Sequence, residues 1–159
     1  MRPAGVKVIW REVKENTGTE AFPGIVKVHF KGSCHVRPWE PADAATGRTA
    51  TLGTSLVSGG QVLPFSEVRC DAVRRTLPEV EAGTPEQARQ GELGRAMGRV
   101  VAHELYHVLA NTTHHGEEGL AKATQDFSEL TGGSLRFAPK EAAEIRQGAG
   151  RRGMAFSYK

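Results

Sequence analysis

His103, Glu104 and His107 are the residues whose types and spacing most directly suggest chemistry. With the two residues between them they form the pattern H-E-x-x-H. In a helix, a spacing of four brings both imidazoles to one face, one turn apart, where they can share a metal ion. Neutral imidazole nitrogens suit Zn²⁺, and a carboxylate beside the pair can take a proton from a water that the metal activates. The pattern therefore predicts a zinc site with Glu104 as general base.

The simpler interpretation is a pair of surface histidines on an amphipathic helix. It fits poorly because apolar residues surround the pair in the sequence: Val100, Val101, Leu105, Val108 and Leu109. Unpaired histidines beside a core destabilise a fold unless something binds them. Tyr106 lies inside the motif, but its spacing turns it away from the metal, so we expect it to pack.

A catalytic zinc needs three protein ligands and a water, so a third ligand is expected. In the longer motif H-E-x-x-H-x-x-G-x-x-H a glycine turn brings back a third histidine. Here Ala110 stands at the glycine position and Thr113 at the position of the final histidine. His114 and His115 follow at once, in a polar stretch where the helix should end. Asn111 tolerates left-handed geometry and can make the turn. Either histidine can then supply the third imidazole.

Two other arrangements stay open on the residues alone. Glu129, 22 positions after His107, could ligate the metal from a following helix, as a glutamate does in thermolysin-like enzymes. Its surroundings show little of a long helix. Cys34 could bind the zinc as an inhibitory thiolate ligand, although such a cysteine normally belongs to a separate propeptide.

The chain around the motif resembles a family of small, largely uncharacterised bacterial proteins regarded as zinc peptidases of metzincin type, with a longer loop to the third histidine. The resemblance covers residues 60–65, 94–110, 115–122 and 135–142. In that family the later histidine is the natural third ligand, which points to His115, with His114 as the alternative. Metzincins also place a methionine in a tight turn beneath the metal. Ala121 occupies that position here, and Met154 lies too near the C-terminus to replace it.

The resemblance implies a fold and a function. The fold is an α+β, metzincin-like zincin, in which a mixed twisted sheet packs on a long active-site helix and a C-terminal helix follows. The function is a zinc-dependent metalloendopeptidase that cleaves a peptide or protein substrate with a zinc-activated water and Glu104 as general base. We expect the substrate to lie as an extra strand along residues 49–58 or along the neighbouring strand from Gln61. The alternative is a non-catalytic zinc-bound domain that binds peptides or proteins, although a structural site needs a fourth protein ligand and no base.

Strands are predicted from alternating apolar residues. Four segments show the alternation: 6–13, 25–30, 49–58 and 61–68. Gly59-Gly60 predicts a hairpin between the last two. Because strands come first and helices later, the order favours α+β over alternating βαβ units.

Helices are predicted from capping signals and from the spacing of apolar residues. A short helix is expected over residues 70–77. Residues 84–87 read T-P-E-Q, which predicts a capping box with Thr84 as cap and Pro85 at the first helical position. The motif helix is then predicted to run to about Ala110, with a buried stripe made of Met97, Val101, Leu105 and Val108. A last helix is predicted from about residue 137 to Gln147, with Gly148 as its stop signal.

Composition limits the class of protein. The chain has 159 residues, a net charge of +3, and 25% charged and 38% hydrophobic residues, which predicts a single globular domain over residues 1–159 with a basic tail at 151–159. No apolar stretch reaches the roughly 18–20 residues that cross a bilayer, so no membrane partner is expected. The tail lacks an aromatic-interleaved patch or a DNA-binding motif, so no nucleic-acid partner is expected. The sequence leaves the oligomeric state open.

The compartment and the cysteine chemistry also stay open. Residues 1–10 lack the apolar core and cleavage site of a signal peptide. We therefore expect either a cytoplasmic protein, or a secreted or periplasmic one from which an export signal has been removed. Cys34 and Cys70 are too few for a disulfide framework, so a single bridge and two buried thiols are equally compatible with the sequence.

Overall fold

The structure, a computed structural model, describes residues 1, 4–15, 17–19, 24–36, 50–77, 84–133 and 135–151. Within these residues the chain forms three strands and four α-helices: β1 (Lys27–Lys31), β2 (Gly53–Ser58), β3 (Gln61–Arg69), α1 (Cys70–Thr76), α2 (Glu86–Ala110), α3 (Phe127–Thr131) and α4 (Pro139–Arg151). This confirms the predicted α+β class. Of the predicted basic tail, only Arg151 lies within the described residues, where it ends α4.

The sheet is small and mixed. Its strand order is β1-β3-β2, with β1 parallel and β2 antiparallel to β3. Gly59 and Gly60, with φ of 55° and 75°, form the turn between β2 and β3. Two successive positive φ values match the twist of a tight hairpin, so the predicted hairpin is confirmed. The topology leaves β2 at one edge of the described sheet.

The strand predicted over residues 6–13 is wrong. Residues 6–12 belong to no strand, and Val13–Glu15 form a short 3₁₀ helix. Val6 is buried in the core, but Ile9 and Trp10 are 68% and 61% exposed, so the segment leaves the core after Val6. Alternation of apolar residues indicates an extended backbone, whereas a strand also needs a neighbour to pair with.

The long helix α2 begins one residue later than predicted. Pro85 is its N-cap, with extended ψ of 136° and no side-chain capping hydrogen bond, and Glu86 is the first helical residue. The prediction that Thr84 caps the helix is therefore wrong. The fixed φ of proline suits the cap as well as the first turn, so the sequence alone does not separate the two registers.

The second half of α2 forms the centre of the molecule. Its 25 residues span about 37 Å, and all residues from Glu104 to Leu109 are buried. Strands β2 and β3, helices α3 and α4 and the turn at Gly119–Ala121 all pack against α2. Of the predicted stripe, Met97 is half-buried and the other three residues are buried. None of the described helices is long and apolar enough to cross a membrane.

Helix α4 passes through the position predicted to end it. Gly148 lies inside α4, which continues to Arg151. A methyl group on Gly148 would lie 1.8 Å from the carbonyl oxygen of Leu109 in α2, so the glycine allows the two helices to touch. Its role is close packing between helices, and the predicted stop signal is wrong.

Cys34 and Cys70 form a disulfide, with their Cα atoms 4.9 Å apart. It joins the segment after β1 to the start of α1. The amide of Ser33 donates to Asp71 Oδ1 at 3.4 Å, and Arg74 donates to the carbonyl of Ser33 at 3.2 Å. The bridge and these bonds therefore fasten the same short segment to α1.

Candidate metal centre

Three histidine rings converge beside the second half of α2. One ring nitrogen from each of His103, His107 and His115 lies within 4.8 Å of the others. Nε2 of His103 and Nε2 of His107 are 3.0 Å apart, and the ring of His115 lies 5.2 Å and 4.8 Å from their two ring centroids. His107 is buried, His103 is half-buried and His115 is exposed, so the group opens to solvent on the side of His115.

The outer nitrogens of the two helical histidines are both bound to carbonyl oxygens. Nδ1 of His103 donates to the carbonyl of Leu120 and Nδ1 of His107 donates to that of Thr112, each at 2.8 Å. A carbonyl can only accept, so Nδ1 carries the proton in both rings. Metal-bound histidines commonly show this arrangement, which fixes the ring and its tautomer.

The geometry of the pair fits a shared metal. In the neutral rings both Nε2 atoms carry lone pairs, and these face each other at 3.0 Å, which is unfavourable without a cation between them. Two nitrogens that bind one tetrahedral zinc at about 2.0–2.1 Å lie about 3.3 Å apart, close to this spacing. Burial lowers the pKa of His103 from 6.5 to about 4. The hydrogen bond to the Leu120 carbonyl partly opposes this shift, and the neighbouring His107 and His115 add to it. Burial likewise lowers the pKa of His107, so both rings are kept neutral, as metal ligands must be.

Asn111 turns the chain from α2 towards His115. It is the C-cap of α2 and adopts left-handed geometry, with φ of 52° and ψ of 51°. The turn predicted at this residue is therefore confirmed. The next amide, that of Thr112, donates to the carbonyl of His107 at 3.1 Å, while the Thr112 carbonyl accepts from the ring of His107. The residue after the turn thus contacts both the backbone and the ring of the histidine.

The segment after His115 returns beneath the site. The amide of Gly116 donates to the carbonyl of Ala121 at 2.9 Å, and Gly119–Ala121 form a 3₁₀ turn. Gly119 has φ of 66°, and a methyl group there would lie 2.2 Å from the carbonyl oxygen of Arg136. Ala121 is fully buried. This turn supplies the Leu120 carbonyl that accepts the hydrogen bond from His103.

Glu104 extends from α2 towards the edge strand β2. Its Oε2 accepts a hydrogen bond of 2.7 Å from the hydroxyl of Ser55. A methyl group on Gly53 would lie 2.7 Å from Glu104 Oε1 and 2.9 Å from Val100 Cγ1, so the absence of a side chain at Gly53 lets the strand lie close to α2. Burial raises the pKa of Glu104 from 4.5 to about 7, and the bond from Ser55 opposes that rise. A carboxyl group with a pKa near neutrality can both accept and release a proton at pH 7.

The other residues predicted near the site lie apart from the three rings. His114 is exposed and is not in the group, although its amide donates to Oγ1 of Thr112 at 3.1 Å. Glu129 caps α3, where it accepts from the amide of Asp126 at 2.9 Å, and it pairs with Lys122. The Cys34 sulfur is in the disulfide, so it is not a free thiolate that could bind a metal.

Tyr106 packs as predicted from its spacing. It is 2% exposed, and its hydroxyl donates to Glu144 Oε2 in α4 at 2.9 Å. Its ring also lies 5.8 Å from that of Phe137. Tyr106 therefore joins α2 to α4 behind the histidines.

Ser55, Ser66 and the carbonyls of Thr112 and Leu120 were missed by the sequence analysis. A carbonyl carries no sequence signal, and a serine in a strand has no local feature that marks it as a partner of a distant helix. Gly53 offered the one usable signal, because a glycine inside a strand often marks a close approach of another group.

The chain matches no protein-family model, no curated protein and no solved structure.

Proposed function

We propose that this chain is a zinc-dependent metalloendopeptidase with a metzincin-like fold. The observation that carries the proposal is the convergence of three imidazoles, from His103, His107 and His115, beside a glutamate that extends from the same helix. His103, His107 and His115 would hold the zinc. When bound, a zinc ion would supply Lewis acidity and would lower the pKa of a bound water, so that the water could be deprotonated and attack at neutral pH.

Glu104 is the general base in this proposal. It takes a proton from the attacking water and passes it to the leaving amine of the cleaved peptide bond. Its pKa of about 7 suits both transfers. Ser55 donates a hydrogen bond to one oxygen of the carboxylate, Oε2.

Strand β2 supports a peptide as the substrate. It is an edge strand of the described sheet, antiparallel to β3, and it carries Ser55 and Gly53 against the base. An extended peptide can add to such an edge through backbone hydrogen bonds. A peptide bound there would run past Glu104. Of the two strands expected to receive substrate, β3 is the central one, so β2 is the strand we propose.

The test is digestion of a peptide library by the zinc-loaded protein, with products read by mass spectrometry. We expect the wild type to cleave and Glu104→Gln to lose at least about 100-fold in rate while it retains zinc. Glu86→Gln, an exposed change in the first turn of the same helix, is the matched control and should cleave normally. If Glu104→Gln cleaves at the wild-type rate, the peptidase proposal is wrong. Stoichiometric zinc with no cleavage by the wild type would instead favour a non-catalytic zinc-bound domain.

A further inference from the structure

Two serine hydroxyls, one half-buried on Ser55 and one buried on Ser66, connect the sheet to the proposed base. Ser55 in β2 and Ser66 in β3 are cross-strand partners, and their hydroxyl oxygens lie 3.0 Å apart. The Ser55 oxygen also lies 2.7 Å from Glu104 Oε2 and 3.2 Å from the Glu104 carbonyl oxygen. Ser66 is 5% exposed and Glu104 is 4% exposed, while Ser55 between them is half-buried.

The direction of these hydrogen bonds follows from counting protons. Ser55 has one hydroxyl proton and three acceptors within reach. The carboxylate is the closest of them, and a charge-assisted bond to it is the strongest. Ser55 therefore donates to Glu104, and Ser66 must donate to Ser55. The order of donation is Ser66 to Ser55 to Glu104.

The two oxygens of Glu104 have different surroundings. Oε2 is held by Ser55, whereas Oε1 lies on the side of Gly53, where a methyl group on the glycine would lie 2.7 Å from it. The bond from Ser55 restricts the rotamers of the Glu104 side chain before any substrate arrives. Such preorganisation is what a general base needs, because small displacements from the productive geometry reduce rates strongly.

We propose that Ser66 and Ser55 form a hydrogen-bond relay that fixes the orientation of the Glu104 carboxylate, which makes Ser55 a positioning residue for the base. The relay rests on the proposed function, since Glu104 is the base there. Because Ser55 belongs to the strand that is proposed to receive the substrate, the register of β2 on β3 sets the position of the carboxylate relative to the bound peptide.

The test uses zinc-loaded full-length protein and four variants, one of which, Ser66→Ala, removes the donor to Ser55. Ser55→Ala removes the donor to Glu104, and Ser55→Thr restores a hydroxyl. Glu86→Gln changes an exposed residue in the first turn of α2, outside the strand proposed to bind the peptide, and is the control. For each protein we would measure the zinc affinity, the affinity for acetohydroxamate as a probe of zinc and carboxylate together, and kcat and KM on a cleaved peptide.

We expect Ser55→Ala to keep zinc affinity and KM within about twofold and to lose about tenfold in kcat and in acetohydroxamate affinity, the lower end of what outer partners of such sites contribute. Ser55→Thr and Glu86→Gln should behave as the wild type. Ser66→Ala should show a smaller loss of the same kind, because Ser55 keeps its bond to Glu104 but loses its own donor.

The outcomes separate the relay from the function. If Ser55→Ala binds acetohydroxamate and turns over as the wild type does, the relay is wrong and the peptidase proposal stands. If zinc affinity falls together with kcat, or if Ser55→Thr fails to restore activity, Ser55 has a structural role and the relay is also wrong. A wild-type protein that binds no zinc overturns the proposed function, and the relay with it.

Discussion

The amide of Val62, near the start of β3, donates a hydrogen bond of 2.9 Å to the side-chain oxygen of Asn111, which ends α2. The side-chain amide of Asn111 donates to Gln61 at 2.9 Å. One residue thus ends the helix in left-handed geometry, attaches that end to the sheet, and starts the turn whose next residue holds His107. The site is therefore braced at the point where the chain leaves the helix.

Substitutions of Asn111 should separate its backbone role from its side-chain role. Asn111→Gly keeps the left-handed geometry and loses the acceptor for Val62. Asn111→Ala loses both, so it should lower the free energy of unfolding by about 1 kcal/mol more than the glycine variant does. Urea unfolding of the metal-free protein measures this difference. Equal losses in the two variants would show that the left-handed conformation contributes nothing to stability.

Gly148 should not tolerate a methyl group. The carbonyl oxygen of Leu109 lies where that group would be placed, so Gly148→Ala must push α4 away from α2 and should cost about 1–3 kcal/mol. Gly98 in α2 is the matched control, because nothing lies within 4 Å of a methyl group there. Gly98→Ala should stabilise the helix by about 0.5–1 kcal/mol. A rise in Tm for both variants would contradict the close helix contact.

The disulfide should contribute strongly to stability. Cys34 and Cys70 are separated by 36 positions, and the chain-entropy relation gives about 3–4 kcal/mol for a loop of this length. The double variant Cys34→Ser/Cys70→Ser should therefore unfold at clearly lower urea concentration than the oxidised protein. Reductant should lower the midpoint of the wild type and leave that of the double variant unchanged. If reductant has no effect on the wild type, the bridge is not formed in solution.

The metal-free protein should show two opposite pH effects at neighbouring residues. The pKa of His103 is lowered to about 4. On acidification the unfolded chain is therefore protonated at this histidine before the folded chain is, and the contribution of His103 to stability is lost as pH falls from 6.5 to 4. The pKa of Glu104 is raised to about 7, so its contribution is present below pH 4.5 and is lost as pH rises to 7.

Single substitutions should expose each of these effects in EDTA. Relative to the wild type, Glu104→Gln should lose stability as pH is lowered from 6.5 to 4.5, because only the histidine effect remains. His103→Gln should gain stability over the same interval. Urea unfolding at pH 7.5, 5.5 and 4.5 gives the two trends. Trends of the same sign would contradict the pKa shifts.

The parts of the site that could be predicted are those set by local spacing. His103, Glu104 and His107 are within one turn of each other, and helical geometry alone places them together. The left-handed turn at Asn111 also follows from the residue type and its position after an apolar helical stretch. The identity of the metal ligands stays a prediction, although the structure does place His115, and not His114, with the pair.

The features that sequence could not predict arise from contacts between distant segments. Whether Gly148 ends a helix or packs against one depends on where Leu109 lies, and both roles use the same residue type. The alternation in residues 6–13 is compatible with a strand, but no local signal says whether a neighbouring strand is present. Ser55 meets Glu104 because of the position of β2 relative to α2, a relationship that spans 49 positions.

The central claim is a zinc ion held by His103, His107 and His115, and zinc affinity measured by competition with a chelator tests it most directly. We expect one zinc per chain, a loss of at least about 100-fold in affinity when any of the three is changed to alanine, and wild-type affinity in His114→Ala. Wild-type affinity in His103→Ala or His115→Ala, or a loss confined to His114→Ala, would contradict the account.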